Sequence, residues 1–358
     1  MEGGFNKVLL MTAENGKEVI AKLPCPRVVP PQHSTASEAA VMEYGIVDFV
    51  HLEDCLSERA HAGQGLTDLG IGLVERGLAH LEHSSLDPRT PHFGTKSEHF
   101  DILTMAKDII PHLGGFTPLQ QFAKPTLWHS DLHMGNIYVS EQDPTAIVNV
   151  IDWQFTSIMP AFMQVQWPSF LAPPDGYEIG AVKPELPPNF EDMDADAKAF
   201  AISEREQALL SKCYEASLVK NHMESYLAMT QVDSAIRYLF MFAENTTKDG
   251  IIPLRNCLTQ LAANWNEMGI AEQCPFNITS EALSKHQMEL SRYKDWQKLK
   301  GYTQELLQTD DEGWISAQLD FEKVQARHAE LFQLYIEKET EEISEEEARR
   351  LWFYLENT

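Results

Sequence analysis

The sequence predicts an α+β fold in which a small β-containing N-terminal part precedes a larger, mostly helical remainder. Three observations carry this expectation. Residues 5–11 (FNKVLLM) and 18–23 (EVIAKL) are strand-like runs around an Asn15-Gly16 turn. Residues 125–154 (PTLWHSDLHMGNIYVSEQDPTAIVNVIDWQ) set short β-branched and aromatic runs between polar loops. From Ala195 onward nearly every segment spaces its apolar residues as helices do. The expected division is 1–60, a hairpin plus one helix, and 61–358, mostly helical.

Asn-Gly supplies the positive φ angles of a tight turn, so the first two runs read as a two-stranded ribbon. Pro24, Pro26, Pro30 and Pro31 exclude regular structure after it. Ser34 or Thr35, followed by Glu38 and then AAVMEY, is a capping-box arrangement that predicts a helix over residues 35–45. Residues 46–95 show short helical patterns, such as IGLVERGLAHL (71–81), interrupted by Gly63, Gly65, Gly70 and the SSLDPRTPHFG loop. SEHFDILTMAKDIIPHL (97–113) has amphipathic helical spacing and stops at Gly114-Gly115. In 125–154, TLW, NIYV and AIVNVI read as brief strands, with His129 to Asn136 a loop between them. FTSIMPAFMQVQWPSFL is apolar and broken by proline, predicting a buried irregular or short helical segment, and APPDGYEIGAVKPELPPNFEDMD is a long loop. Helices are then expected over 195–230, 232–244, 252–268, 279–307, 315–340 and 343–356. The acidic run EKETEEISEEEARR reads as a solvated helical face.

With 43% hydrophobic residues the chain is globular by composition. Its 54 acidic against 28 basic residues give a formal charge of −26, which argues against a nucleic-acid partner and tolerates cationic ligands. Cys25, Cys55, Cys213, Cys257 and Cys274 are odd in number and lack a CxxC, the usage of reduced thiols in an intracellular protein. No apolar run reaches the roughly 18 residues of a membrane span, so no integral membrane segment is expected. Neither a signal peptide nor an Arg-rich transit segment is legible.

The chemistry concentrates in H-x-D-x-x-x-x-N followed by an apolar run ending in Ile-Asp-Trp. Asp131 and Asn136 lie five apart in one loop, and Asp152 closes the next apolar run, so two carboxylates and an amide oxygen can converge at one end of a small sheet. Phosphoryl transfer needs such a set: a carboxylate near the attacking hydroxyl, here Asp131, and oxygen ligands for Mg²⁺, here Asn136 and Asp152. A second reading takes His129, Asp131 and His133, alternating as H-x-D-x-H, as transition-metal ligands of a hydrolase. A third leaves the set as loop residues that hydrogen-bond the backbone.

HSDLHMGNIYV with VIDWQ resembles the aminoglycoside phosphotransferase branch of the protein-kinase-like fold. GGFNKVLLMTAENGKEVIAKLPCP, STASEAAVMEY and IDWQFTSIMPAFMQVQWPSFL are similar to blocks of one fungal subgroup, the altered-inheritance-of-mitochondria protein 9 family. The resemblance covers residues 3–45 and 96–300. It implies a two-lobed kinase-like fold, ATP and Mg²⁺ as cofactors, Asp131 as catalytic base, and Asn136 and Asp152 as magnesium ligands. It further implies that Lys22 contacts the nucleotide phosphates, that Glu38 pairs with Lys22, and that Gly3 and Gly4 lie in the phosphate-covering turn. Residues 1–60 would be the nucleotide lobe and 61–358 the catalytic and substrate lobe, with a mitochondrial location implied by the resemblance alone.

Two departures from the pattern qualify the expected lobe. The chain begins almost inside the glycine turn, so the nucleotide lobe is expected to be truncated, and GIVDFVHLEDCL is the sole candidate for the strands and hinge that grip adenine. The leading expectation is a Mg²⁺-ATP phosphotransferase acting on a hydroxyl of a small molecule, an acceptor whose identity the sequence leaves open and for which acidic side chains in the helical half would favour a cation. The rivals are an inactive kinase-like scaffold and the metal-dependent hydrolase.

Overall fold

The computed structural model describes residues 6–12, 18–24, 65–83, 86, 88–129, 131–153, 156, 158–309, 313, 315 and 319–354, the first two segments as backbone. The expected helix over 35–45 lies outside these residues. In chain order the elements are β1 (Asn6–Thr12), β2 (Glu18–Pro24), α1 (Leu66–His83), α2 (Lys96–Gly114), α3 (Thr117–Gln120), β3 (Pro125–Leu127), β4 (Ile137–Val139), β5 (Ile147–Val150), β6 (Ile158–Pro160) and α4 (Ala161–Gln164). They continue with α5 (Ala195–Asn221), α6 (Met223–Gln231), α7 (Ser234–Phe242), α8 (Thr246–Asp249), α9 (Ile252–Met268), α10 (Ser280–Leu307), α11 (Phe321–Glu339) and α12 (Glu345–Leu351). The fold is thus mixed α/β and mostly helical, with small sheets. By packing the chain forms two units, one of residues 1–61 with 121–232 and the other of 62–120 with 233–358.

Among the described residues the first unit holds three two-stranded antiparallel sheets, β1 with β2, β3 with β6 and β4 with β5. The β1–β2 register places Lys22 opposite Val8. The proline-broken stretch expected to be irregular or helical supplies a strand first: Ile158 to Pro160 pair with Leu127 to Pro125, and α4 follows at once. The step from β6 into α4 is held by the Ala161 and Phe162 N–H groups, which donate to the carbonyls of Lys124 (2.9 Å) and Phe122 (3.1 Å). Phe162 and Val165 are fully buried, and α4 packs on α6, whose Ala228 is also fully buried. The single helix expected over 195–230 is two, because His222, at φ −145° and ψ 61°, leaves helical geometry between α5 and α6.

Glu215 of α5 organises the long loop that precedes that helix. Its carboxylate is almost wholly buried (3% exposed) and accepts from the Tyr177 hydroxyl (2.5 Å), the Gly180 N–H (2.6 Å), the Lys212 ammonium (2.8 Å) and the Tyr226 hydroxyl (3.3 Å). Lys212 adds bonds to the carbonyls of Glu178 (2.9 Å) and Gly180 (2.7 Å) and lies over the Tyr177 ring. Ser211 and Gln207 tie Leu171 and Ala172 to the same helix. A buried carboxylate needs such compensation, and here it converts a proline-rich loop into a fixed layer.

The second unit is helical. Thr95 and Glu98 form the capping box of α2, with Thr95 Oγ1 accepting from the Glu98 N–H (3.3 Å) and Glu98 accepting from the Thr95 N–H (2.8 Å). Gly70, expected to interrupt the 71–81 pattern, sits inside an unbroken α1. A Cβ there would stand 2.6 Å from Ile110 and 2.9 Å from the Phe240 ring, and one at Gly77 would strike the Ala243 carbonyl. These glycines let α1 lie directly against its neighbours, a packing role that local pattern mistakes for a break. Buried Leu103, Ile109, Ile110, Leu239, Phe240, Leu254, Leu258 and Leu261 fill the space among α1, α2, α7 and α9. Pro253 opens α9, and Gly269, at φ +75°, closes it in the left-handed region. Arg255 of α9 holds α10 through Glu289 and His286 Nδ1 (3.1 Å). The C-terminal helix is shorter than the 343–356 expected, ending at Leu351 so that Trp352 packs against Tyr335, Ile336 and Ala348. Cys213, Cys257 and Cys274 are free thiols, and burial pushes Cys257 up to about 12. Among the described residues no helix is long and apolar enough to cross a membrane.

Burial alone would raise the Glu215 carboxyl, but Lys212, Tyr177 and the Gly180 N–H outweigh it and hold it below its ordinary 4.5. A carboxyl lowered in the fold contributes stability above its unfolded value, and that stability is lost as pH falls through the lowered one. Glu215→Gln is therefore expected to cost about 1–3 kcal/mol at neutral pH and to flatten the acid side of the stability curve below 4.5. Urea denaturation across pH 3–7 checks this; parallel curves for the two proteins would refute it.

Candidate functional site

The pairing of β4 with β5 sets the site. Ile137 stands opposite Val150, and one step beyond, the Ile151 N–H donates to the Asn136 carbonyl (2.9 Å). Asn136 therefore precedes one strand and Asp152 follows the other, at the same end of the hairpin. Asn136 enters β4 from a 3₁₀ turn, Met134–Asn136, whose start is capped by His133: the Gly135 N–H donates to His133 Nδ1 (3.1 Å) and the Asn136 N–H to the His133 carbonyl (2.9 Å). A Cβ at Gly135 would lie 2.8 Å from the His133 ring, so a larger residue there would push that half-exposed ring aside.

His129 joins the loop to the far strand. Its Nδ1 accepts the Asp131 N–H (3.2 Å), which leaves the proton on Nε2 to be donated to the Ile151 carbonyl (2.8 Å). The ring is 7% exposed and packs against Trp153 with centroids 4.7 Å apart. The Trp153 indole N–H donates in turn to the Val150 carbonyl (2.9 Å). Between these two anchors Asp152 has φ +67°, a left-handed conformation rare for a residue with a side chain. Asn136, 6% exposed, donates its amide Nδ2 to the Asp131 carbonyl (2.9 Å), so its Oδ1 is the end turned to other partners.

Asp131, Asn136 and Asp152 are thus drawn into one neighbourhood by backbone bonds among their own segments. The Asp131 carboxylate is exposed (72%) and lies 4.0 Å from His133 Nε2. Asn136 Oδ1 and the Asp152 carboxylate are hard oxygen donors of the kind Mg²⁺ takes, and the fixed amide orientation fits that use. The H-x-D-x-H alternative fares differently: both His129 nitrogens are committed to backbone groups, so that ring has no lone pair for a metal. Among the described residues, no group of three His, Cys, Asp or Glu side chains could hold a metal ion. Lys22 lies on β2, whereas Glu38, Gly3 and Gly4 fall outside the described residues. Sequence reasoning took His129, read alone, as a loop brace rather than an acid or base, which its two backbone bonds agree with, and assigned Trp153 nothing; the aromatic directly after Asp152 was the available signal.

No family model matches the chain, and no solved structure matches it. Two curated proteins, the subtelomeric hrmA-associated cluster proteins of two Aspergillus fumigatus strains, are each 28% identical over 227 residues, covering 61% of this chain and 42% of the relative. The chain therefore spans under half the length of the curated relatives it matches.

If His129 holds the loop through hydrogen bonds and not ring packing, His129→Phe should lose about 1–3 kcal/mol of stability, because the Asp131 N–H and Ile151 carbonyl lose their partner while the aromatic contact with Trp153 remains. Urea unfolding reads the difference, and a loss under about 0.5 kcal/mol would assign the clamp to packing.

Proposed function

We propose that the chain is a protein-kinase-like phosphotransferase of the aminoglycoside phosphotransferase type, moving the γ-phosphoryl group of ATP to a hydroxyl of a small molecule. One observation carries this reading: the backbone bonds from His129, Asn136 and Ile151 gather Asp131, Asn136 and Asp152 at the end of a single hairpin. Asp131, exposed and fixed at its backbone, is the carboxylate available to orient an acceptor hydroxyl and take its proton. Asn136 and Asp152 would hold Mg²⁺, which supplies charge neutralisation at the transferred phosphates. Lys22 on β2 is the proposed phosphate contact, with Glu38 its partner and Gly3 and Gly4 in the covering turn. A mitochondrial location belongs to the same proposal and rests on the resemblance alone.

Mg²⁺-ATP should raise the melting temperature of the native chain by mass action, and Asp152→Ala should abolish the rise. Asp131→Asn should keep the rise and lower phosphoryl transfer by roughly 10²–10⁴-fold. No rise at millimolar Mg²⁺-ATP would favour an inactive scaffold, and stoichiometric zinc by elemental analysis would favour the hydrolase.

A further inference from the structure

The second unit contains a cavity of about 700 Å³ whose chemistry runs against that of the chain. Overall the protein carries nearly two acidic residues for each basic one, 54 against 28. At this cavity the ratio inverts: Arg89, Lys248 and Lys300 line it against a single carboxylate, Asp249. Burial holds the Asp249 carboxyl above its usual range while Lys248 and Lys300 pull it down, so both ammonium groups lie close enough to act on it through space. Neither forms a direct ion pair among the described residues, and two ammonium groups against the one Asp249 carboxylate leave a net positive charge at the cavity.

Much of the rest of the lining is aromatic. Tyr293 and Trp296 of α10 meet Phe353 and Trp352, which follow α12. Ring centroids lie 6.2 Å apart for Tyr293 and Trp296 and 5.4 Å for Trp296 and Phe353. The Trp296 indole donates to the Leu351 carbonyl (2.8 Å), and Trp352 is 4% exposed, so this wall is set in place before any ligand arrives. Preset aromatic surface costs little ordering on binding. Gly301 adds a separate observation. It stands inside the 28-residue α10, where glycine is unfavourable, yet a Cβ there would meet nothing within 4 Å. Close packing does not require a glycine at this position, and the space it leaves opens into the cavity.

We propose that this cavity binds a small planar aromatic anion, its ring against Trp296 and Phe353 and its phosphate or carboxylate against Lys248 and Lys300. The volume lies within the usual range for small-molecule sites, roughly 300–1,000 Å³. The proposal is independent of the phosphotransferase reading, since every residue it uses belongs to the other packing unit.

Isothermal titration of the full chain with four probes tests it. Naphthyl phosphate and naphthoate should bind saturably, with dissociation constants below about 1 mM, and whichever binds tighter identifies the anionic group. Naphthol lacks the charge and inorganic phosphate lacks the ring, so each should bind at least roughly tenfold more weakly. Lys248→Gln and Lys300→Gln should each weaken the aromatic anion by roughly tenfold, and Gly301→Met should block it by filling the cavity. Absence of saturable binding, equal binding of naphthol or of inorganic phosphate, or affinity indifferent to both lysines would overturn the proposal. The probe comparison on the native chain stands even if a variant folds poorly.

Discussion

The candidate site depends on one imidazole. His129 accepts a hydrogen bond from the Asp131 N–H and donates one to the Ile151 carbonyl, and among the described residues no other side chain in the loop bonds to backbone groups on both sides of the site. A neutral ring is complete in this arrangement. With Nδ1 accepting and Nε2 donating, the clamp specifies a single tautomer. The hydrogen bond from Asn136 to the Asp131 carbonyl then works on a segment already fixed. The strands that carry the site are three and four residues long, so their ladders alone would hold it weakly; the side-chain bonds compensate for brevity.

What local sequence dictates and what distance dictates separate cleanly. The α2 helix with its stop at Gly114-Gly115, the 252–268 span of α9, and the Asn136–Asp152 hairpin were legible because each depends on residues near one another in the chain. The pairing of β3 with β6 was not, since Pro160 in the later strand reads as a breaker and its partner lies over thirty residues earlier. Gly70 misled for the same reason, and Gly77, within the pattern read as helical, packs in the same way. Their function is to admit Ile110, Phe240 and the Ala243 carbonyl, none of which a local window contains. Of the candidate site, the polar residues were legible and the scaffold that aims them was not. Glu38, Gly3 and Gly4 fall outside the described residues.

Both packing units use the same means of fixing irregular backbone, a buried polar side chain satisfied on several sides. Glu215 gathers a loop around one carboxylate, and His129 ties two segments with one ring. In the helical unit, Arg255 joins α9 to α10 through Glu289 and His286, whose imidazole burial, with Arg255 beside it, lowers to about 4. Such a histidine stays neutral across physiological pH and keeps accepting from Arg255. Polar groups of this kind contribute modest net stability but penalise every arrangement that leaves them unpaired, so they select one backbone among near alternatives.

Asp152 is where this logic bears on function. A residue at φ +67° between two anchored neighbours is strained unless it is glycine, although Asp tolerates the left-handed region better than most side chains. A turn whose task ended with reversing the chain after β5 would be served at least as well by glycine, which lacks the Cβ clash and would leave the bonds of Ile151 and Trp153 intact. Aspartate adds one thing glycine lacks, a carboxylate, at the end of the hairpin that also holds Asn136. Strain kept at a position where a simpler residue would fold is an argument for chemistry at that position, and it is strongest where the neighbouring amide has its nitrogen already tied back and its oxygen turned to other partners.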